Sequence, residues 1–352
     1  MYIYGILNSN TSLCLSIPKA LLSEESGSHE VVYIIPYQDI SALVRDSESV
    51  DYTHMRADIL ARFLIGHQTV IERVMSWQTT ITIIPMRLGT HAQDETEVKD
   101  ILNKGYNLIK KIFEKVSDKI EIDVVATWGN FNLMVQEASE EKEIKEFKEK
   151  LTRNPGGATV DDQMKIGSML KKALDERRDK FAEEIRDNLK TFCVDFKTHE
   201  LMDDKMVVNI AFLLDKDKRE DFDKKVEELN VQFNEKLNFR CVGPLPPYSF
   251  YTLEIKKLKL EEIDRAKKRL GILNDITSKE ELKKAYHRQA FSTHPDKNPN
   301  EPCAEEKFNE VTMAYKILAD YCAALEQANQ KDKVPFDREM FRKNVMLVKV
   351  RE

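Results

Sequence analysis

The sequence predicts an α+β protein, with two ferredoxin-like α+β domains joined by a helical linker and a small all-helical segment near the C-terminus. Three observations predict it. Short β-branched and aromatic runs alternate with amphipathic stretches of helical period through residues 1–255. Between residues 192 and 214 the apolar period switches from helical to two, with hairpin-like neighbours. From about residue 258 to 325 only helical periodicity remains.

In the first third, strands are expected over residues 2–7, 31–37 and 40–44. A helix is expected over 55–77, where Ile59, Phe63, Val70, Val74 and Trp77 fall at helical spacing. A strand over 81–84 ends at Pro85, and residues 95–116 form an amphipathic helix. Residues 119–127 alternate Ile120, Ile122 and Val124 with charged neighbours, the pattern of a half-buried strand. A solvated Glu/Lys-rich helix over 137–151 precedes the break Arg153-Asn154-Pro155-Gly156-Gly157. Then come a long helix over 161–189, strands over 192–196 and 206–214, a helix over 219–237, and closing strands over 239–242 and 248–255. Residues 344–350 read as a short strand. A lone strand is unstable, so it is expected to pair with an edge of a preceding sheet, making the helical segment an insertion near the end of the second domain. The expected domains are residues 1–128, 129–258, 259–328 and a tail, 329–352.

Composition narrows the function. The 352 residues carry a formal net charge of −6, so the global cationic field that drives non-specific nucleic-acid binding is absent. Eleven glycines and eleven prolines fall well below the average combined share of ~12%. No stretch reaches the ~18–20 apolar residues a membrane span needs, and the first residues lack a basic segment ahead of an apolar one. Five scattered cysteines without a CxxC, and seven histidines without tight ligand spacing, argue against a disulfide framework, a structural zinc site or a metal centre, and a reducing cytoplasm follows. The carboxylate pairs Asp161-Asp162 and Asp203-Asp204 lie in charged, exposed-looking sequence. No nucleophile, general base or cofactor loop stands out, so no catalytic residue, enzyme activity or cofactor is expected.

The most specific string is His294-Pro295-Asp296. Upstream, Thr277-Ser278-Lys279-Glu280-Glu281 offers an N-cap with Glu three residues on, a capping-box start. The helix they open carries Leu282, Tyr286 and Ala290 on one face, and Lys283, Lys284, His287 and Arg288 on the other. Pro295 pushes the residue before it towards extended geometry, which stops the helix. Pro302 and Glu305-Glu306 suit a new first turn, after which Phe308, Val311, Tyr315 and Leu318 share a face. Two helices with matching stripes and a short link make an antiparallel pair that exposes His-Pro-Asp at its tip. With Leu270-Gly271-Ile272, Ala304-Glu305-Glu306-Lys307-Phe308 and Ala314-Tyr315, this segment resembles the J-domain of DnaJ-type co-chaperones. The family usually has an aromatic before the histidine, where this chain has Thr293. The resemblance implies that His294, Pro295, Asp296, Lys283, Lys284, His287 and Arg288 dock on a DnaK-type chaperone and stimulate its ATP hydrolysis.

The rest of the chain resembles the GvpF/GvpL family of gas vesicle proteins. The resemblance is carried by Tyr2-Ile3-Tyr4-Gly5-Ile6, Ser41-Ala42-Leu43-Val44-Arg45-Asp46, His67-Gln68-Thr69-Val70-Ile71-Glu72 and Ile83-Ile84-Pro85-Met86-Arg87-Leu88-Gly89-Thr90, then by Asn209 to Asp215 and Gly243-Pro244-Leu245-Pro246-Pro247-Tyr248-Ser249-Phe250. Pro85, Arg87 and Gly89 read as a turn out of a strand, with Arg87 free to pair with a carboxylate of its own domain. Gly243, Pro244, Pro246, Pro247 and Tyr248 read as a rigid, donor-poor corner. Both are expected to be architecture.

Together the resemblances imply a cytoplasmic, gas-vesicle-associated accessory or minor structural protein. It would assist shell assembly by binding the shell protein GvpA and other Gvp accessory proteins, with a J-domain recruiting a DnaK-type chaperone and neither nucleic acid nor membrane as partner. The alternative is a general J-domain co-chaperone whose α+β region binds unrelated clients.

Overall fold

The computed structural model describes residues 1–18, 29–48, 50, 52, 54–77, 81–152, 159–234, 236–273, 276–299, 301, 303–327, 334–336 and 346–351. The chain forms two compact units, residues 1–115 with 251–352, and residues 116–250.

The first unit is built on a five-stranded antiparallel sheet of β1 (Tyr2–Leu7), β2 (Cys14–Pro18), β3 (His29–Tyr37), β4 (Ile40–Arg45) and β5 (Ile83–Pro85), in the order β2-β3-β4-β1-β5. Every residue of β1 and β4 is buried, so both faces of these neighbouring strands are covered. That explains their nearly unbroken apolar sequence. Helix α1 (Ala57–Trp77) buries Val70, Ile71 and Val74, and α2 (Glu95–Val116) buries Val98, Ile101, Leu102, Ile109 and Ile112. Strand β2 was not expected from the sequence. Only Ile17 of its five residues is fully buried, so it carries little apolar signal.

The second unit is a four-stranded antiparallel sheet of β6 (Lys119–Trp128), β7 (Asp195–Thr198), β8 (Met206–Asp215) and β9 (Leu237–Leu245), in the order β7-β8-β6-β9. Read from the first strand of the unit, this is the ferredoxin-like order. Helices α3 (Phe131–Ser139), α4 (Lys142–Thr152) and α5 (Val160–Leu189) join β6 to β7, and α6 (Arg219–Phe233) joins β8 to β9. Phe212, Phe222, Leu229, Ile185 and Leu189 fill the core between sheet and helices. The expected helix over 137–151 is two helices, because α3 ends at Glu140, whose N–H closes back on Ala138 and Glu137 carbonyls. The expected break at Arg153–Gly157 lies outside the described residues.

Three sequence expectations are corrected here. Strand 119–128, assigned to the N-terminal domain, is the central strand of the second sheet, so the units divide near residue 115 and not at 128. The expected strand over 248–255 is instead a helical turn, α7 (Tyr248–Tyr251), followed by β10 (Leu253–Lys257). Pro246 and Pro247, which suit the entry to a helical turn, precede α7. Strand β10 does not join the second sheet. It pairs over five residues with the terminal strand β13 (Met346–Val350) to make a two-stranded ribbon in the first unit. The terminal strand therefore pairs as expected over 346–350, and residues 344 and 345 lie outside the described residues. Its partner is this ribbon and not the edge of the second domain's sheet.

Between the ribbon strands lie α8 (Leu260–Arg269), β11 (Ile276–Thr277), α9 (Lys279–Thr293), α10 (Ala304–Gln327) and β12 (Val334–Pro335), with β11 and β12 paired. The helices share a core of Ile263, Ala266, Leu270, Leu282, Ala285, Val311, Ala314, Leu318, Tyr321 and Leu325. The fold is thus mixed α+β with antiparallel sheets and a helical C-terminal region. Among the described residues no helix is long and apolar enough to cross a membrane.

Candidate functional site

Helix α9 starts where the capping-box spacing places it. Ser278 Oγ accepts the Glu281 N–H at 3.2 Å, and Glu281 Oε2 accepts the Ser278 N–H at 3.1 Å. The helix stops at His294, whose ψ of 130° is the extended geometry that a following proline imposes. Pro295–Lys297 then form a single 3₁₀ turn. Helices α9 and α10 are held together by Leu282, Val311, Ala314 and Leu318 and by Tyr286 stacked on Tyr315, with ring centroids 4.4 Å apart.

The tip is ordered by its own short hydrogen bonds. His294 Nδ1 accepts the Asp296 N–H at 3.2 Å, and its ring meets Phe308 edge-on at 5.2 Å. Asn298 Nδ2 donates to the Ser292 and His294 carbonyls at 2.9 and 3.1 Å, which closes the loop onto the end of α9. The Asp296 side chain is 89% exposed and that of His294 is 43% exposed. The histidine ring nitrogen is thus occupied by its own loop, and the aspartate beside it, its Oδ2 3.7 Å from that nitrogen, is left in water. Thr293, standing where an aromatic was expected, donates to the Gln289 carbonyl at 2.9 Å and caps the last turn.

Lys283, Lys284, His287 and Arg288 are all exposed on one face of α9, and none pairs with a described acidic residue. Four cationic or titratable groups left in water set long-range steering rather than stability. The sequence also missed an apolar element beside the tip. Phe291 is 65% exposed, with Lys297 Nζ 3.0 Å from its ring centroid. The signal was available, because Phe291 breaks the apolar phase set by Leu282 and Tyr286.

The family motifs are anchored from within their own units. In the first, Pro85 pairs with Gly5 across β5 and β1, and Arg87 Nη1 reaches Glu254 Oε2 at 3.4 Å. Gly89 has φ of 85°, and a Cβ there would lie 2.8 Å from the Tyr52 ring. Its N–H points to the Tyr2 hydroxyl at 3.5 Å, and its carbonyl meets His91 Nδ1 at 3.0 Å. The Tyr2 hydroxyl also lies 2.7 Å from His67 Nδ1. Burial pushes the His67 imidazole down to about 4 and also lowers His91.

In the second unit, Gly243 has φ of 151° and a cis bond to Pro244, and a Cβ on it would lie 2.9 Å from the Glu121 carbonyl. Pro246, Pro247 and Tyr248 lead into α7, where Ser249 is gripped by Glu121. The Ser249 N–H donates to Glu121 Oε2 at 2.9 Å, its Oγ donates to Oε1 at 2.7 Å, and His199 Nε2 lies 3.0 Å from that hydroxyl. Glu121 is 1% exposed, and burial, reinforced by Asp123 two residues along the strand, pushes its carboxyl up to about 8. Sequence reasoning missed this carboxylate because it falls in the charged phase of an alternating strand, which reads as a solvent face. Among the described residues no group of three or more His, Cys, Asp or Glu could hold a metal ion.

Two family models match the chain. A family model described as gas vesicle synthesis protein GvpL/GvpF matches residues 1–252, and a DnaJ domain model matches residues 268–323. Gas vesicle protein F1 of Halobacterium salinarum is 22% identical over 255 residues, covering 72% of this chain and 94% of the relative. Chaperone protein dnaJ 39 of Arabidopsis thaliana is 53% identical over 51 residues, covering 14% of this chain and 12% of the relative. The crystal structure of the gas vesicle protein GvpF from Anabaena sp. PCC7120 has the same fold, with a TM-score of 0.57, 23% identity, and coverage of 71% of this chain and 96% of that one.

Proposed function

This chain belongs to the GvpL/GvpF family of gas vesicle synthesis proteins and carries a DnaJ domain, and from that premise we propose that it assists assembly of the gas vesicle shell while recruiting a DnaK-type chaperone to the shell protein. The body would hold the shell protein GvpA, with other Gvp accessory proteins as further partners. A strongly apolar shell subunit aggregates when free, so a factor that holds it and brings an ATP-driven chaperone to it keeps it competent for incorporation.

The observation that carries the reading is the exposed His294-Pro295-Asp296 tip, ordered by its own hydrogen bonds between two packed helices and flanked by the exposed basic face of α9. Lys283, Lys284, His287 and Arg288 would steer the chaperone and set its orientation, and the tip would make the contact that depends on the chaperone's nucleotide state. The family motifs Pro85, Arg87, Gly89, Gly243, Pro244, Pro246, Pro247 and Tyr248 would shape the body and not contact partners directly. Neither part calls for catalysis by this chain.

The test measures ATP hydrolysis by the host's DnaK-type chaperone with the intact chain and with His294→Gln. Stimulation of several-fold or more, falling to near the unstimulated rate in the variant, is the expected result. Equal stimulation by both proteins would remove the chaperone half of the proposal. Binding of purified shell protein by the variant, at unchanged affinity, is expected, because the tip and the body are separate sites.

A further inference from the structure

We infer that the terminal strand β13 is a clasp that makes the J-domain a fixed arm of the first unit, with Asp320 and Gln327 of α10 as its positioning residues. A helical domain attached by one linker swings freely. Here the chain enters the J-domain from β10 and returns to pair with that same strand, so both ends are pinned side by side.

Three kinds of contact close the clasp. The main chains of β10 and β13 pair in continuous register from Leu253↔Val350 to Lys257↔Met346. Leu347 of β13 is buried inside the helical core with Leu318, Tyr321 and Leu325. Gln327, in the last turn of α10, reads the backbone of Val348 in both directions, its Nε2 donating to the carbonyl at 2.5 Å and its Oε1 accepting the N–H at 3.1 Å. Asp320 gathers one lysine from each ribbon strand, Lys256 at 2.5 Å and Lys349 at 3.2 Å. The Asp320 side chain is largely shielded, so these pairs are screened less than surface pairs.

The ribbon is fixed in turn to the body of the first unit. The Arg87 N–H donates to the Leu253 carbonyl at 2.7 Å, and Lys257 pairs with Glu97 of α2 at 2.7 Å. Glu254 accepts Arg87 at 3.4 Å and Lys349 at 3.7 Å. On α2, Gly105 leaves room for Val348, since a Cβ there would lie 2.9 Å from Val348 Cγ1. A chain of half-buried ion pairs thus runs from Arg87, in the gas vesicle family motif, through Glu254, Lys349 and Asp320 to the long helix of the J-domain. If the chaperone docks as proposed above, it arrives at one place relative to the first sheet instead of sampling a sphere around it. The clasp itself does not depend on that reading.

The test is hydrogen exchange and backbone relaxation on the full chain, with no chaperone or shell protein present. In the unmodified protein, amides of Met346–Val350 are expected to be protected, and α9 and α10 to tumble with the residues of the first sheet. In the double variant Asp320→Ala/Gln327→Ala, which leaves the helical core intact, the β13 amides are expected to exchange at least tenfold faster. The relaxation of α9 and α10 should then uncouple from that of the first sheet. A second variant, Gly105→Leu, attacks the same contact from α2 and should give the same signature. Independent tumbling of the J-domain in the unmodified chain, or unchanged exchange in both variants, would overturn the clasp.

Discussion

In the second sheet the strands follow the order β7-β8-β6-β9, and in the first sheet β3-β4-β1-β5 repeats that order, with β2 added at the edge. The second sheet puts α3, α4 and α5 between its first two strands, where the first sheet has only β2. Each sheet holds its family motif with a buried polar cluster, but the chemistry is opposite. Tyr2, His67 and His91 surround the Gly89 turn, while Glu121, with Asp123 beside it, grips the Ser249 corner. Strand order follows from short connections and handedness, which many sequences satisfy. What holds a loop against the sheet is decided locally, by whichever buried group can stay uncharged. Burial lowers the imidazoles in one sheet and raises a carboxyl in the other, so in both it works against the charged form.

If the two units are separate cores, Phe212→Ala breaks one of them alone. Phe212 is fully buried and lies 5.4 Å from Phe222, so its loss is expected to cost about 3–5 kcal/mol. Denaturant unfolding followed by hydrogen exchange should show β6–β9 lost first, with β1 and β4 still protected. Simultaneous loss of both sheets would mean one cooperative core. Next in size, Gly243→Ala forces a side chain onto backbone at φ of 151° and is expected to cost about 2–3 kcal/mol. Gly89→Ala meets only the Tyr52 ring, which can swing away, and is expected to cost about 1–2 kcal/mol in thermal unfolding.

The remaining two predictions concern pH, and their signs differ. The Glu121 carboxyl is raised in the folded state, so its contribution is fully present below the ordinary carboxylate range and is lost as pH rises to about 8. Glu121→Gln should flatten that decline for the second unit, on the order of 2 kcal/mol, as read from urea midpoints at pH 5 and 9. An unchanged slope would mean that Glu121 is already ionised at neutral pH. His67 is lowered, so the unfolded chain takes up a proton first and stability falls as pH drops from about 6.5 towards about 4. His67→Gln should soften acid loss of β1 and β5 protection by about 1 kcal/mol, leaving β6 and β8 unaffected.

Elements with a periodic stripe or a nearly unbroken apolar run were legible in the sequence. Helix α2 was placed at its observed limits, and α1 and α5 within a few residues, because each has one apolar stripe and flanking polar residues; β8, buried on both faces, was read from its nearly continuous apolar run. The His294-Pro295-Asp296 tip was legible because its spacing, from Ser278 to Leu318, encodes caps, stops and a shared face. Strand β2 escaped because an edge strand with one buried residue has no period to read. Glu121 escaped because alternation tells which side of a strand is polar, not whether another segment covers it. The turn at Tyr248 escaped because a β-branched and aromatic run fits a strand equally well until a carboxylate from a distant strand takes the Ser249 N–H.

Taken alone, the sequence determined most of the segments that become helix or strand, where the J-domain tip stands, and which family motifs the body carries. Those are local properties, set by neighbours within about a turn or a strand length. Only the tertiary structure decided that residues 119–128 belong to the second sheet, that the terminal strand returns to pair with β10, and that a glutamate and a histidine are buried. Each depends on contacts between residues from about ninety to well over a hundred positions apart in one case and tens in another, and on burial, which no local pattern reports.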